Sequence, residues 1–390
     1  MLATVVMAGF GFVFWLIVAR MFSTTNIGLA TTLISVMNMI AMLSLVGFDA
    51  AFVRFLPRSD SKSDNINTGL IVVATVAASF STIFIIFLNE LSPSLDFIKD
   101  NIFTSAAFVF FCVMTALNIL IDSVFLSERK AKYTLLINTV FSSVRLLLPF
   151  AFVGWGSLGI FGAVALSQTI GFALSLVIMI RHFGYRPEWK VSMDVLSRVR
   201  GYSLANYGAG ILNLLPPTVL PILITNNLGP EQAAFYYIIM MIGNLMYTIP
   251  WASTKSLFAE GSHAEHSLKE NSIRTGKFIT ALLLPIMLAL YFFGDIILLV
   301  FGKTYSEEGF EFLRLIALSG IPVSCYSLLN SYFKVTKHPQ WIIVMNLFYA
   351  VGILGVSYLL FPLGLSGIGY AWIFGNTLAS VVGGAIIFLF

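Results

Sequence analysis

Charged side chains make up only 10% of this 390-residue sequence, against about 25% in soluble globular chains. Too few polar groups remain to cover a water-exposed surface of that size, which excludes a soluble enzyme. A hydrophobic content of 58% excludes disorder from the other side. Cysteine is nearly absent. Cys112 and Cys325 both sit in apolar runs, so no disulfide framework is expected. Of the four histidines, only His263 and His266 fall near ligand spacing. Without a third ligand, no metal site is expected. No glycine-rich phosphate loop occurs, so neither a nucleotide nor any other cofactor is implied. The apolar runs are continuous, about 20 residues each, the length of a membrane-spanning helix. The shorter, alternating strands of an outer-membrane barrel do not fit them.

Twelve spans are expected, at about 1–19, 27–47, 66–88, 102–126, 134–153, 158–180, 201–226, 232–253, 273–300, 311–333, 341–361 and 366–390. The first reads as a span rather than a cleaved leader, since it has no basic front. With both termini cytoplasmic, seventeen of the twenty-two lysines and arginines fall in cytoplasmic connections. Arg20, Lys99, Lys303 and Arg314 fall outside, and Arg145 alone lies within a span. That bias is the positive-inside pattern of a multi-pass protein of the cytoplasmic membrane. The basic residues are spread over five loops, so a nucleic-acid partner is not implied.

The chain also repeats itself. Leu120–Ser175 aligns without gaps on the segment 208 residues later, pairing Asn138 with Asn346, Gly156 with Gly364, Gly159 with Gly367 and Ala163 with Ala371. Asp122 pairs with Asn330 and Arg129 with Lys337. Six spans separate the copies, an even number, so the two halves share one orientation. The expected fold is an all-α polytopic membrane protein with two parallel-repeat six-helix lobes around a central cavity. The N-terminal lobe covers 1–181, a basic hinge-like linker 182–200, and the C-terminal lobe 201–390.

The segments Ala19-Arg20-Met21-Phe22, Asn26-Ile27-Gly28 and Gly47-Phe48-Asp49-Ala50-Ala51-Phe52-Val53-Arg54-Phe55-Leu56-Pro57 carry a family likeness. So does Asn118-Ile119-Leu120-Ile121-Asp122-Ser123-Val124-Phe125-Leu126 with the basic residues after it. The chain resembles the polysaccharide-biosynthesis flippases of O-antigen type, in the multidrug/oligosaccharidyl-lipid/polysaccharide exporter superfamily. The resemblance implies alternating access and a lipid-linked sugar as cargo, not an enzyme. Partners would be the lipid-linked oligosaccharide, membrane lipid, and a polysaccharide polymerase or glycosyltransferases.

Charge inside a span is costly and marks function or pairing. Arg145 lies about 18 Å into the fifth span, above Ser142, Phe141 and Asn138, and its repeat mate is the apolar Ile353. It is expected either to bind an anionic headgroup or to pair with an acid such as Asp122. Asp122 shares a face with Thr115 and Asn118 and is open to the same two readings, coupling carboxylate or salt-bridge partner. Asp49 is a second coupling candidate. Arg54 is expected at the inner end of the second span, below Thr31, Ser35 and Asn38. Asn244, Tyr247, Trp251 and Lys255 are expected along one face of the eighth. Tyr202, Asn206 and Asn213 line the seventh, whose Pro216, Pro217 and Pro221 should bend or break it and serve as a gate. The three glutamates 307, 308 and 311 read as a solvated acidic turn. Function is expected to be export of a polyprenyl-linked oligosaccharide, the alternative being a cation-coupled multidrug exporter.

Overall fold

A computed structural model of the chain describes the backbone of residues 2–261 and 268–389. Side chains are described for all of these except residues 2–6, 131, 200–207, 209, 260–261 and 389. His263 and His266 lie outside the described residues, as do the side chains of Tyr202 and Asn206.

Helices account for every described element. They are α1 (Leu2–Met21), α2 (Thr24–Ser44), α3 (Phe48–Phe55), α4 (Lys62–Ile86), α5 (Leu88–Leu91), α6 (Ile102–Ser127), α7 (Ala131–Phe152) and α8 (Gly156–Phe183). The chain continues with α9 (Met193–Leu228), α10 (Pro230–Gly261), α11 (Leu268–Leu299), α12 (Lys303–Leu318), α13 (Gly320–Val335), α14 (Pro339–Leu360) and α15 (Gly364–Leu389). Nine stretches of the described residues are long and apolar enough to cross a membrane. Two of them, Lys132–Phe183 and Pro339–Phe388, contain two full-length helices each, while Lys303–Val335 holds the short α12 and α13 as one span. With α1 this makes twelve spans, the number read from the sequence.

Two compact units emerge. The first comprises Met1–Ile211 with Pro221–Ala233, the second Leu212–Leu220 with Ala234–Phe390. In the first, α2 packs on α4, α6 and α8, and α1 on α7. In the second, α15 packs on α12, α13 and α14, and α11 on α12.

The 208-residue repeat reaches down to backbone dihedrals. Helices α7 and α14 correspond end to end, and each closes in a three-residue 3-10 turn, 153–155 and 361–363. Arg129 and Lys337 take left-handed φ of 55° and 59°, and Gly156 and Gly364 take 55° and 63°. The amides of Lys130 and His338 donate to the carbonyls of Phe125 and Phe333, both at 3.0 Å. A Cβ added at Gly159 would lie 2.2 Å from the Phe152 carbonyl oxygen; at Gly367 it would lie 2.1 Å from that of Leu360. Glycine is required at both positions because each helix folds back against the last carbonyls of the one before it.

Three expectations change. The second span ends at Ser44, and α3 is a separate helix behind Val46 and Gly47, whose φ of 45° and 78° break the helical path. Asp49 and Arg54 therefore sit in the first and last turns of α3, not on the face of Thr31, Ser35 and Asn38. The acidic turn is helical: α12 begins at Lys303, and Glu307, Glu308 and Glu311 lie on its exposed side, opposite buried Tyr305, Phe312 and Leu313. This span is interrupted at Ser319 instead, where Pro322 leaves the Leu318 carbonyl without its helical donor.

The third change concerns α9, which runs unbroken through Pro216, Pro217 and Pro221. Hydroxyls in the same turns bond to main-chain carbonyls: Thr218 donates to the Leu214 oxygen at 2.7 Å and Thr225 to that of Pro221 at 2.8 Å. The connection 182–200 is likewise no free tether. Helix α9 starts at Met193, and the strip before it is bonded to α4. Tyr185 in that strip donates to Asn67 Oδ1. Burial pushes its phenol pKa up to about 12, so the donor proton is retained at all lower pH.

Candidate functional site

The first unit holds Arg145 and Asp122, the two charged residues expected within its spans. Arg145 projects from α7 toward α1, half-buried, with its guanidinium carbon 5.0 Å from the ring centre of Phe14. A cation over an aromatic face is stabilised by the ring quadrupole without losing its charge. Gly11 faces the guanidinium, and a Cβ there would stand 4.0 Å from Arg145 Nη2, an ordinary van der Waals contact. One turn earlier, Ser142 is fully buried and donates to Met7 Sδ at 3.6 Å. Phe14, itself fully buried, is braced edge-on by Trp15 at 5.1 Å. These contacts fix the direction of Arg145 from both helices.

On α6 the face predicted from spacing exists. Thr115 and Asn118 are 1% and 8% exposed, and Asp122 is half-buried. The Thr115 hydroxyl is buried without a hydrogen-bond partner. Gly171 of α8 approaches closely, its Cβ position 3.5 Å from Asn118 Oδ1. Among the described residues no ion pair joins Asp122 to Arg145, so the salt-bridge reading of that pair is not realised. Asn138 is half-buried on α7.

Elsewhere the expected residues divide. Thr31 and Ser35 are buried and donate to carbonyls of their own helix, Gly28 at 3.0 Å and Thr31 at 2.8 Å, while Asn38 is half-buried. Arg54 is exposed and lies over the Phe55 ring at 5.4 Å. On α10, Asn244, Trp251 and Lys255 are exposed along one side. Tyr247 is 1% exposed and hydrogen-bonded to Ser319, with its ring 5.9 Å from that of Trp251. It packs the interior of the second unit and does not share the exposed face, a correction to its expected place. Asn213 donates to Tyr326 at 2.8 Å, and Tyr326 to Asn346 Oδ1 at 2.5 Å.

Sequence reasoning missed two features. Arg314, assigned to an outer connection, lies on α12 with its guanidinium 4.1 Å from the Phe310 ring centre and Nε bonded to the Tyr291 carbonyl at 3.0 Å. The i, i+4 spacing of Phe310 and Arg314 was the available signal. The second is a tight contact of α2 with residues 221–233. Thr25 donates to Glu231 at 3.0 Å, Thr32 and Thr225 meet at 2.5 Å, and a Cβ on Gly28 would fall 1.6 Å from the Pro230 carbonyl oxygen. Only tertiary structure brings these positions together.

With twelve apolar spans among the described residues and a duplicated half, the chain is a multi-pass membrane protein, and its fold is that of transporters. It matches an inward-facing multidrug resistance MATE family transporter of the MOP superfamily with TM-score 0.78 at 14% identity, covering 98% of this chain and 93% of that one. It matches the lipid II flippase MurJ in an inward closed conformation with TM-score 0.79 at 9% identity, covering 99% of this chain and 86% of that one. The family model described as polysaccharide biosynthesis protein matches residues 17–308, and the chain belongs to that family. No curated protein sequence matches it.

Proposed function

We propose that the chain is a flippase that carries a polyprenyl-linked oligosaccharide across the cytoplasmic membrane by alternating access. The family supports a role in polysaccharide biosynthesis. The observation that carries the reading is Arg145, a guanidinium within a span lying over the face of Phe14. A pyrophosphate head entering low dielectric needs a cation, and arginine offers two parallel donors to it. Arg54, in the last turn of α3, and Lys255, within α10, are both exposed and serve as further cations. Asn38, Asn118, Asn138, Asn206 and Asn244 with Trp251 offer the amides and aromatic face that sugar hydroxyls require. Asp122, with Asp49 as a weaker candidate, is the coupling carboxylate. Pro216, Pro217 and Pro221 mark where α9 passes from one unit to the other and back, the place for a gate.

The multidrug-exporter reading has the MATE fold in its favour. Against it, the described part of α1 carries no carboxylate for a cationic drug, and its only charged residue is Arg20. The test is translocation of a fluorescent polyprenyl-pyrophosphate sugar in proteoliposomes, beside efflux of a cationic dye. The flippase reading expects the first activity and its loss in Arg145→Ala; dye efflux without lipid transport overturns it. The orientation with cytoplasmic termini is tested in a Cys325→Ser background, since Cys325 is exposed and Cys112 buried. Asp60→Cys should react only from the cytoplasm and Ser94→Cys only from outside.

A further inference from the structure

Between α8 and α9 the chain is irregular over residues 184–192, yet several of its backbone polar groups are bonded to α4. Asn67 Nδ2 donates to the Arg186 carbonyl at 3.0 Å, and Asn67 Oδ1 accepts from the Glu188 amide at 3.2 Å. The Arg186 amide donates to Ser63 at 3.3 Å and the Ser192 amide to Thr68 at 3.0 Å. Asn67 and Thr68 are 2% and 0% exposed. The strip thus lies along the first two turns of α4, its polar backbone turned inward.

What it turns outward is apolar. Trp189 is 96% exposed, Met193 74% and Val191 39%. The level is set by α8, whose exposed side chains change from Val177 and Ile180 to Arg181 and His182 within one turn. The edge of the apolar zone falls there, immediately before the strip. Arg181, Arg186 and Arg198 are exposed around it, and Lys190 reaches Asp64 at 3.9 Å. The nearby acids within the segment are Glu188 and Asp194.

We propose that residues 184–193 are a membrane-surface anchor, with Trp189, Val191 and Met193 seated among the headgroups of the adjacent leaflet and the surrounding arginines holding anionic phospholipids. Three features converge on this. Irregular backbone near a bilayer persists where protein satisfies its hydrogen bonds. Tryptophan settles at the headgroup level, where its ring is half in lipid and half wet. Basic residues beside it add attraction to anionic headgroups, about 1 kcal/mol each near such a surface. A soluble protein partner would also meet an exposed tryptophan, but the position at the edge of the apolar zone and the excess of arginine favour lipid.

The experiment places a bimane label on Trp189→Cys in the Cys325→Ser protein, reconstituted in phosphatidylcholine vesicles with and without phosphatidylglycerol. Nitroxide lipids labelled near the headgroup should quench it strongly and iodide weakly, while Asp60→Cys shows the reverse. In native mass spectrometry, Arg186→Gln with Arg198→Gln should lower retained phosphatidylglycerol several-fold and leave phosphatidylcholine unchanged. A label at 189 quenched by iodide and untouched by nitroxide lipid overturns the proposal and makes the strip a water-facing protein surface. Lipid quenching with unchanged phosphatidylglycerol retention overturns the anionic-lipid assignment. Neither readout depends on transport.

Discussion

The helices α6 to α8 and α13 to α15 share one backbone and use it for opposite purposes. Their turns agree in length and in left-handed residues, and the glycines at 159 and 367 meet equivalent carbonyls. Their polar side chains do not agree. Where the second unit has Tyr326 bonded to Asn346, the first has Asn118 and Asn138, with no hydrogen bond to each other. Where the second has Asn330, the first has Asp122; where the second has Ile353, fully buried, the first has Arg145 over Phe14. In the second unit Asn213, Tyr326 and Asn346 form one hydrogen-bonded chain, while Asn330 Oδ1 is buried without a partner. The first places a guanidinium over the Phe14 ring and a half-buried carboxylate at the matching positions. The repeat carries one scaffold, and the two copies differ in a few buried and half-buried side chains.

The strongest way to break this comparison is to exchange the chemistry. Ile353→Arg puts an unpaired charge into a fully buried site, which costs several kcal/mol. Little folded protein is expected by size-exclusion chromatography, although Arg145 is tolerated at the matching site. Next come the shared glycines. Gly159→Ala and Gly367→Ala should each destabilise by about 1–3 kcal/mol through overpacking. Thermal unfolding should show two similar drops, and one silent variant would mean the repeats are not mechanically equivalent. Gly28→Ala belongs to the same range, and a Thr25→Cys/Glu231→Cys pair should crosslink less readily in its presence. The smallest effect sharpens the contrast. Asn346→Ala should cost about 1 kcal/mol of stability by leaving Tyr326 without its acceptor, while Asn138→Ala should leave melting almost unchanged and lower transport.

Much of this was legible in the sequence. Span number and repeat offset follow from hydropathy and from glycines and basic residues that recur at fixed spacing, because both are properties of the chain taken in order. The individuality of Arg145 was legible too, since its mate is an isoleucine. What escaped was set by tertiary contact. Nothing local says that Tyr247 turns toward Ser319 while Trp251, four residues on, stays exposed. The break before α3 depends on Val46 adopting a left-handed conformation that a β-branched residue rarely takes. The strip at 184–192 looked like a tether because its partners, Ser63, Asn67 and Thr68, lie more than a hundred residues earlier.

The central claim is that Arg145 serves the substrate and not the fold. The most direct measurement is the affinity of the purified protein for a polyprenyl pyrophosphate, taken with the melting temperature of the same samples. Arg145→Ala should bind at least about tenfold more weakly, a loss of about 1.4 kcal/mol, with melting unchanged, and Arg145→Lys should recover part of the affinity. Unchanged affinity in Arg145→Ala, or affinity and melting falling together, would contradict the account.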